Sequence, residues 1–267
     1  MRAQRLPFAG GCGFEFPIRS RRYPSHWSES FISSDDRSPI FTFSQKSLEK
    51  LNLRYYRPLS NPNKFLTGLL QHFSRLQDED ISPQEYQKWY AQKAKKEKIS
   101  KEELAQFQEL TLAYDQYLKI KIENDAMDYS DLIYYLNSLF RQRKNILAKY
   151  RRQFRYVLVD EFQDTNIAQY EMLKLLCPPN SKPNLTVVGD DSQSIYKFRG
   201  ASVSNILNFM ADFTKAKQIT LNENYRSNQT LLDHAYRLIK NNNPDTLESK
   251  LGISKELKSQ KSDKKIR

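Results

Sequence analysis

Two short strings hold the residues best suited to chemistry. Residues 157–166 read Val-Leu-Val-Asp-Glu-Phe-Gln-Asp-Thr-Asn, and 187–201 read Val-Val-Gly-Asp-Asp-Ser-Gln-Ser-Ile-Tyr-Lys-Phe-Arg-Gly-Ala. Each is a short apolar run that stops at acidic and polar side chains. Such a run fits a strand buried on both faces of a parallel sheet, and ligands of such sheets sit beyond the carboxyl ends of the strands. Asp160, Glu161, Gln163, Asp164, Asp190, Asp191 and Gln193 are therefore expected to line one edge. An Asp-Glu pair there suits hydrolysis of a nucleoside triphosphate. Asp160 would hold Mg²⁺, an ion that keeps several waters and takes few protein ligands. Glu161 would orient and deprotonate the attacking water. The pair alone has a simpler alternative, a solvated acidic strand end.

The longer strings are more specific. Asp160-Glu161-Phe162-Gln163-Asp164 resembles the Walker B motif of the UvrD/Rep-type superfamily-one DNA helicases. Gly189-Asp190-Asp191-Ser192-Gln193-Ser194-Ile195-Tyr196-Lys197-Phe198-Arg199-Gly200-Ala201 is similar to that family's motif III, and Leu221-Asn222-Glu223-Asn224-Tyr225-Arg226-Ser227 to its motif IV. Met127-Asp128-Tyr129-Ser130-Asp131-Leu132-Ile133 resembles the acidic segment that precedes Walker B. Four strings in family order cover roughly 127–240 and outweigh the false-positive risk of any one motif.

The resemblance implies an α/β fold, a RecA-like P-loop NTPase parallel sheet with a helical insertion, and a set of roles. Gln193 would sense the γ-phosphate and link it to the DNA site. Tyr196 and Phe198 would lie beside single-stranded DNA, where an aromatic ring stacks on any base face; many relatives carry Trp at the position of Phe198. Arg199 would contact DNA or the phosphate network. Tyr225 would pack on the adenine, and Arg226 would act as an arginine finger. For the aromatic residues core packing is the alternative, and the flanking Ser, Lys, Arg and Asn weigh against it. ATP and Mg²⁺ are the implied cofactors. Single-stranded DNA and duplex junctions are the implied partners, with 3′ to 5′ as the family's usual direction.

One expected part is missing from the sequence. A P-loop ends in Gly-Lys-Ser/Thr, with backbone amides that cradle the phosphates. The seven glycines are 10, 11, 13, 68, 189, 200 and 252, and none precedes a Lys. The chain therefore resembles the middle of a helicase. Two rival readings stay open: a non-catalytic nucleic-acid-binding remnant, and the helicase part of a helicase–nuclease subunit.

Composition bounds the rest. The 43 basic and 31 acidic residues give a net charge of +12, which suits a polyanionic partner. Cys12 and Cys177 form no framework or metal spacing and point to a reducing compartment. No apolar run reaches transmembrane length, so a cytoplasmic protein is expected. Residues 1–45 hold six Arg and no Lys, a break that marks 1–43 as a disordered or foreign extension, such as an out-of-frame start on a truncated gene.

The elements that must position the strings come from caps and periodicity. Region 44–126 reads as helical and insertion-like. Ser82-Pro83-Gln84-Glu85 and Ser100-Lys101-Glu102-Glu103 are capping-box signatures. Leu104, Phe107, Leu110, Leu112, Tyr114, Tyr117 and Leu118 form one expected core stripe, and Leu132, Ile133, Leu136, Leu139 and Phe140 another. Lys93–Lys98 reads as a solvated helix end. Region 127–222 is expected to be the motor-domain part, with a helix at 167–176, a strand at 184–189, a helix at 203–211 and a strand at 217–221. Region 223–267 is expected to start a second motor domain, with a helix at 228–241 and a Lys-rich tail from 250 that frays or disorders.

Overall fold

The structure, a computed structural model, describes residues 53–96, 99–194, 204–244 and 246–261. They form a mixed, mostly helical α/β architecture with two small parallel sheets, grouped in two compact units. The 1–43 extension and residues Tyr196, Phe198 and Arg199 lie outside the described residues.

The helical unit takes residues 53–155 and 166–178 among those described. It contains α1 (Leu66–Asp78), α2 (Pro83–Lys96), α3 (Lys101–Glu123), α4 (Tyr129–Gln142), α5 (Lys144–Gln153) and α6 (Ile167–Leu176). Both capping boxes form: Glu85 N–H donates to Ser82 Oγ at 3.2 Å, and Glu103 N–H to Ser100 Oγ at 3.1 Å. Each Glu carboxylate accepts the cap's backbone amide in return, so two orphan donors per helix start are satisfied. The core packs Leu66, Leu69, Phe73 and Leu76 of α1 against Tyr86 of α2 and Ala113, Tyr114, Tyr117 and Leu118 of α3. Phe73 stacks on Tyr114 at 5.2 Å between centroids, and the Tyr114 hydroxyl donates to Ile81 O. The expected core stripes are only partly buried. Leu112 is 63% exposed, and Leu104, Leu132 and Leu139 are also exposed. Helical spacing marks a stripe wider than the face the neighbouring helices cover.

The start of α4 holds an arrangement that the sequence reading missed. Asp128 and Asp131 cap each other's backbone amides. Asp131 is also fully buried, where Lys121 Nζ donates to both its oxygens at 2.7 Å and to Asp128 at 3.1 Å. Gln77 Nε2 completes the site by donating to Asp131. Burial works against the Lys121 ammonium, but Tyr117 and the two carboxylates outweigh it and hold the group above the ordinary lysine range.

The second unit takes residues 156–165 and 179–261 among those described. Here β1 (Val157–Val159) pairs in parallel with β2 (Leu185–Val187), in register Val157 to Leu185. The expectation of strands buried on both faces is corrected. Val157 and Val159 are buried, but Leu158 is 53% exposed and Val188 51%. Among the described residues this sheet has two strands and one covered face, so burial alternates with the pleat. Helix α7 (Ser204–Asp212) covers the turn after β1: Phe162 meets Phe209 edge-on at 5.6 Å, and Asn205 Nδ2 donates to Thr165 O at 2.9 Å.

Two expectations for the C-terminal part are also corrected. Residues 217–221 form no strand; Ile219 and Leu221 are exposed. The strand is β3 (Glu223–Asn224), and its parallel partner is β4 (Lys258–Ser259). The tail does not fray over its described length. It forms α9 (Leu247–Leu251) after α8 (Gln229–Ile239) and then β4. Its order comes from backbone pairing: Lys258 N–H donates to Asn222 O at 2.7 Å, and Gln260 N–H to Asn224 O at 2.8 Å. Low apolar content does not forbid such pairing.

Candidate active site

The parallel register sends both acidic strings off the same ends of β1 and β2. Val188 N–H donates to Val159 O at 2.8 Å, and Phe162 N–H donates to Val188 O at 2.9 Å. The chain therefore turns sharply just after Val159. The turn is made at Glu161, which sits in the left-handed region at φ 51°, a conformation that costs a non-glycine residue energy. A 3₁₀ turn, Phe162–Asp164, follows. Asp160 is exposed and accepts the Glu161 amide on Oδ1 at 3.0 Å. Glu161 is exposed too, and its Oε2 accepts from Gln163 Nε2 at 2.6 Å.

Gln163, expected to line the ligand edge, is buried between the strings. Its Oε1 accepts the Asp190 amide at 2.9 Å. Gly189 makes that approach possible, since a Cβ there would lie 2.9 Å from Gln163 Oε1. Asp164 is half-buried. Its Oδ1 has no hydrogen-bond partner among the described residues, and burial together with the Glu161 charge raises its carboxyl above the ordinary range.

The second string is held as tightly. Asp190 accepts from Ser192 N–H at 3.1 Å and from Gln193 Nε2 at 3.0 Å. Lys255 Nζ bridges Asp190 and Asp191 and donates to Ser192 Oγ at 2.9 Å. Asp191 also accepts the Leu247 amide at 2.8 Å. Burial alone would raise the Asp190 carboxyl, but Lys255 and Gln193 outweigh it and hold it below the ordinary range. The same ion pairs hold Lys255 above the lysine range despite burial. Lys255 was not legible as a partner, because 64 residues separate it from Asp191.

Thus Asp160, Glu161, Gln163, Asp190 and Gln193 are brought together. The Tyr225 hydroxyl and the Arg226 backbone amide bond to residues of β3. The Tyr225 ring is 72% exposed with its hydroxyl donating to Glu223 at 2.6 Å, and the Arg226 amide donates to Asn224 Oδ1 at 2.9 Å. Among the described residues no group of three or more His, Cys, Asp or Glu could hold a metal ion by itself, and no helix is long and apolar enough to cross a membrane. An exposed Asp160 with one oxygen in a local bond does fit Mg²⁺, which binds through one or two carboxylates plus phosphate oxygens.

Comparison with known proteins gives these strings a context. The family model of the UvrD/REP helicase N-terminal domain matches residues 25–214. ATP-dependent DNA helicase PcrA of Staphylococcus aureus (strain Mu50 / ATCC 700699) is 44% identical over 135 residues, 51% of this chain and 18% of that protein. DNA helicase II of Rickettsia typhi is 45% identical over 131 residues, 49% of this chain and 20% of that protein. ATP-dependent DNA helicase PcrA of Leuconostoc citreum is 45% identical over 135 residues. The chain thus spans 17 to 20% of the length of these curated relatives. Since the family model covers well over half of the sequence, the chain belongs to the UvrD/REP helicase N-terminal domain family.

Proposed function

We propose that this chain is part of an ATP-dependent DNA helicase that couples ATP hydrolysis to movement along single-stranded DNA and to duplex separation. The observation that carries the reading is the parallel β1–β2 pair, which releases Asp160-Glu161 and Asp190–Gln193 at one edge with Gln163 joining them. In this reading β1 and β2 belong to a RecA-like P-loop NTPase sheet, the helices within 44–126 are its insertion, 127–222 is the motor-domain part and 223 onward starts the second motor domain. Mg²⁺-ATP, when bound, supplies the phosphoanhydride and its charge neutralisation. Asp160 would hold the metal and Glu161 would orient and deprotonate water. Gln193 would sense the γ-phosphate, Tyr225 would face the base, and Arg226 would stabilise transition-state charge. Tyr196, Phe198 and Arg199 would track single-stranded DNA, in a cytoplasmic setting.

A second reading has its own support for the 267 residues as they stand. No Gly is followed by Lys, which favours nucleic-acid binding without turnover. Both readings require DNA affinity. A fluorescently labelled single strand, titrated with the chain at low ionic strength, is expected to bind weakly. Its affinity should fall steeply as salt rises, because each neutralised phosphate releases condensed counterion. No binding at low salt, or binding indifferent to salt, would sink both.

A further inference from the structure

The Gln163 side chain touches both acidic strings, and the proposed chemistry gives it no role. It is 1% exposed. The Asp190 amide can only donate, so the atom facing it is Oε1, and Nε2 is left to donate to Glu161. Such a buried amide cannot rotate without orphaning a donor or an acceptor. Gly189 closes the space on the other side: an added Cβ would also lie 3.3 Å from the Gln163 backbone nitrogen and 3.4 Å from Phe162 Cβ. The turn at 190–193 is in turn gripped by Lys255.

We infer that Gln163 is a positioning residue that makes the Glu161 carboxylate and the Asp190–Gln193 turn move as one body, so that a displacement of the turn reaches Glu161. Its functional meaning rests on the reading of Glu161 as the base and Gln193 as the sensor. The mechanical link itself does not.

Amide hydrogen exchange at single-residue resolution on the 267-residue chain tests the link without ATP or DNA. Gln163→Met keeps the bulk and removes both bonds. The Asp190 amide should then exchange about five- to tenfold faster, as expected for one lost net hydrogen bond. Lys255→Met loosens the turn from its far side. With Gln163 present, exchange should rise at Glu161 and Asp164 as well as at 190–193; with Met at position 163, it should rise at 190–193 alone. If Gln163→Met unfolds, Gly189→Ala keeps Gln163 and crowds its Oε1, and should free the Asp190 amide to a similar degree. Unchanged Asp190 exchange in the folded variants overturns the inference. So does a Lys255→Met effect that reaches Glu161 whatever stands at 163. A chain that shows the coupling but binds no DNA would sink the helicase reading and leave this one standing.

Discussion

At the residue scale the helical unit carries the largest electrostatic stakes. Lys121 and Asp131 are both buried, and they satisfy one another together with Asp128 and Gln77. Removing one partner leaves an uncompensated charge, so Lys121→Met should lower unfolding free energy by about 3–5 kcal/mol in urea titration. Lys119→Met, which breaks the exposed Lys119–Asp115 pair, should stay within about 1 kcal/mol. Equal losses would show that burial does not set the difference. Asp78 offers a pH test. It ends α1, and burial, helped by the nearby Asp128 and Glu79 charges, pushes its carboxyl up to about 6 despite hydrogen bonds from Ser130 and Asn166. The folded state therefore keeps a proton that the unfolded state releases near pH ~4. The Asp78 contribution to native stability should fall as pH rises from about 4 to 6 and level off above. Asp78→Asn should remove that slope, checked by melting temperature against pH; an identical slope in the variant would refute the assignment.

At the element scale, local signals were legible where local chemistry decides. Ser82, Pro83 and Glu85, and Ser100 and Glu103, could be read as helix starts because a cap uses residues within one turn. Ser100→Ala should cost about 1 kcal/mol in chemical denaturation, and no measurable change would mean that packing alone sets the start of α3. The helices at 167–176 and 228–241 were also readable, as Ile167–Leu176 and Gln229–Ile239. The strand expected at 217–221 was not real, because apolar residues alone supply no partner. Glu223 and Asn224 pair with Lys258 and Ser259 instead, a partner 35 residues away in a tail whose composition suggested disorder. Likewise Leu112 and Leu132 fit a helical stripe yet face outward, since only packing decides how wide the covered face is.

For the whole molecule, the +12 charge and the family membership set the expectations. ATP turnover by the 267 residues is expected to be absent in a DNA-stimulated phosphate-release assay, because no Gly-Lys-Ser/Thr cradle is present to hold the β- and γ-phosphates. Turnover abolished by Glu161→Gln would point to an unrecognised cradle. Tyr196→Ala and Phe198→Ala should each weaken single-strand affinity by roughly 1–3 kcal/mol and leave melting unchanged if the rings stack on bases. A core role would instead cost about 3–5 kcal/mol of folding stability and show as a large drop in melting temperature. The sequence by itself determined the family, the acidic strings and the helix starts, because each is written in contiguous residues. Only the tertiary structure decided that Gln163 is buried between the strings, that Lys255 bridges Asp190 and Asp191, and that Asp131 pairs with Lys121. It also assigned residues 156–165 to one compact unit and the helix that follows them to the other. Those outcomes depend on which distant backbone comes near and what it shields from water, and no local spacing encodes that.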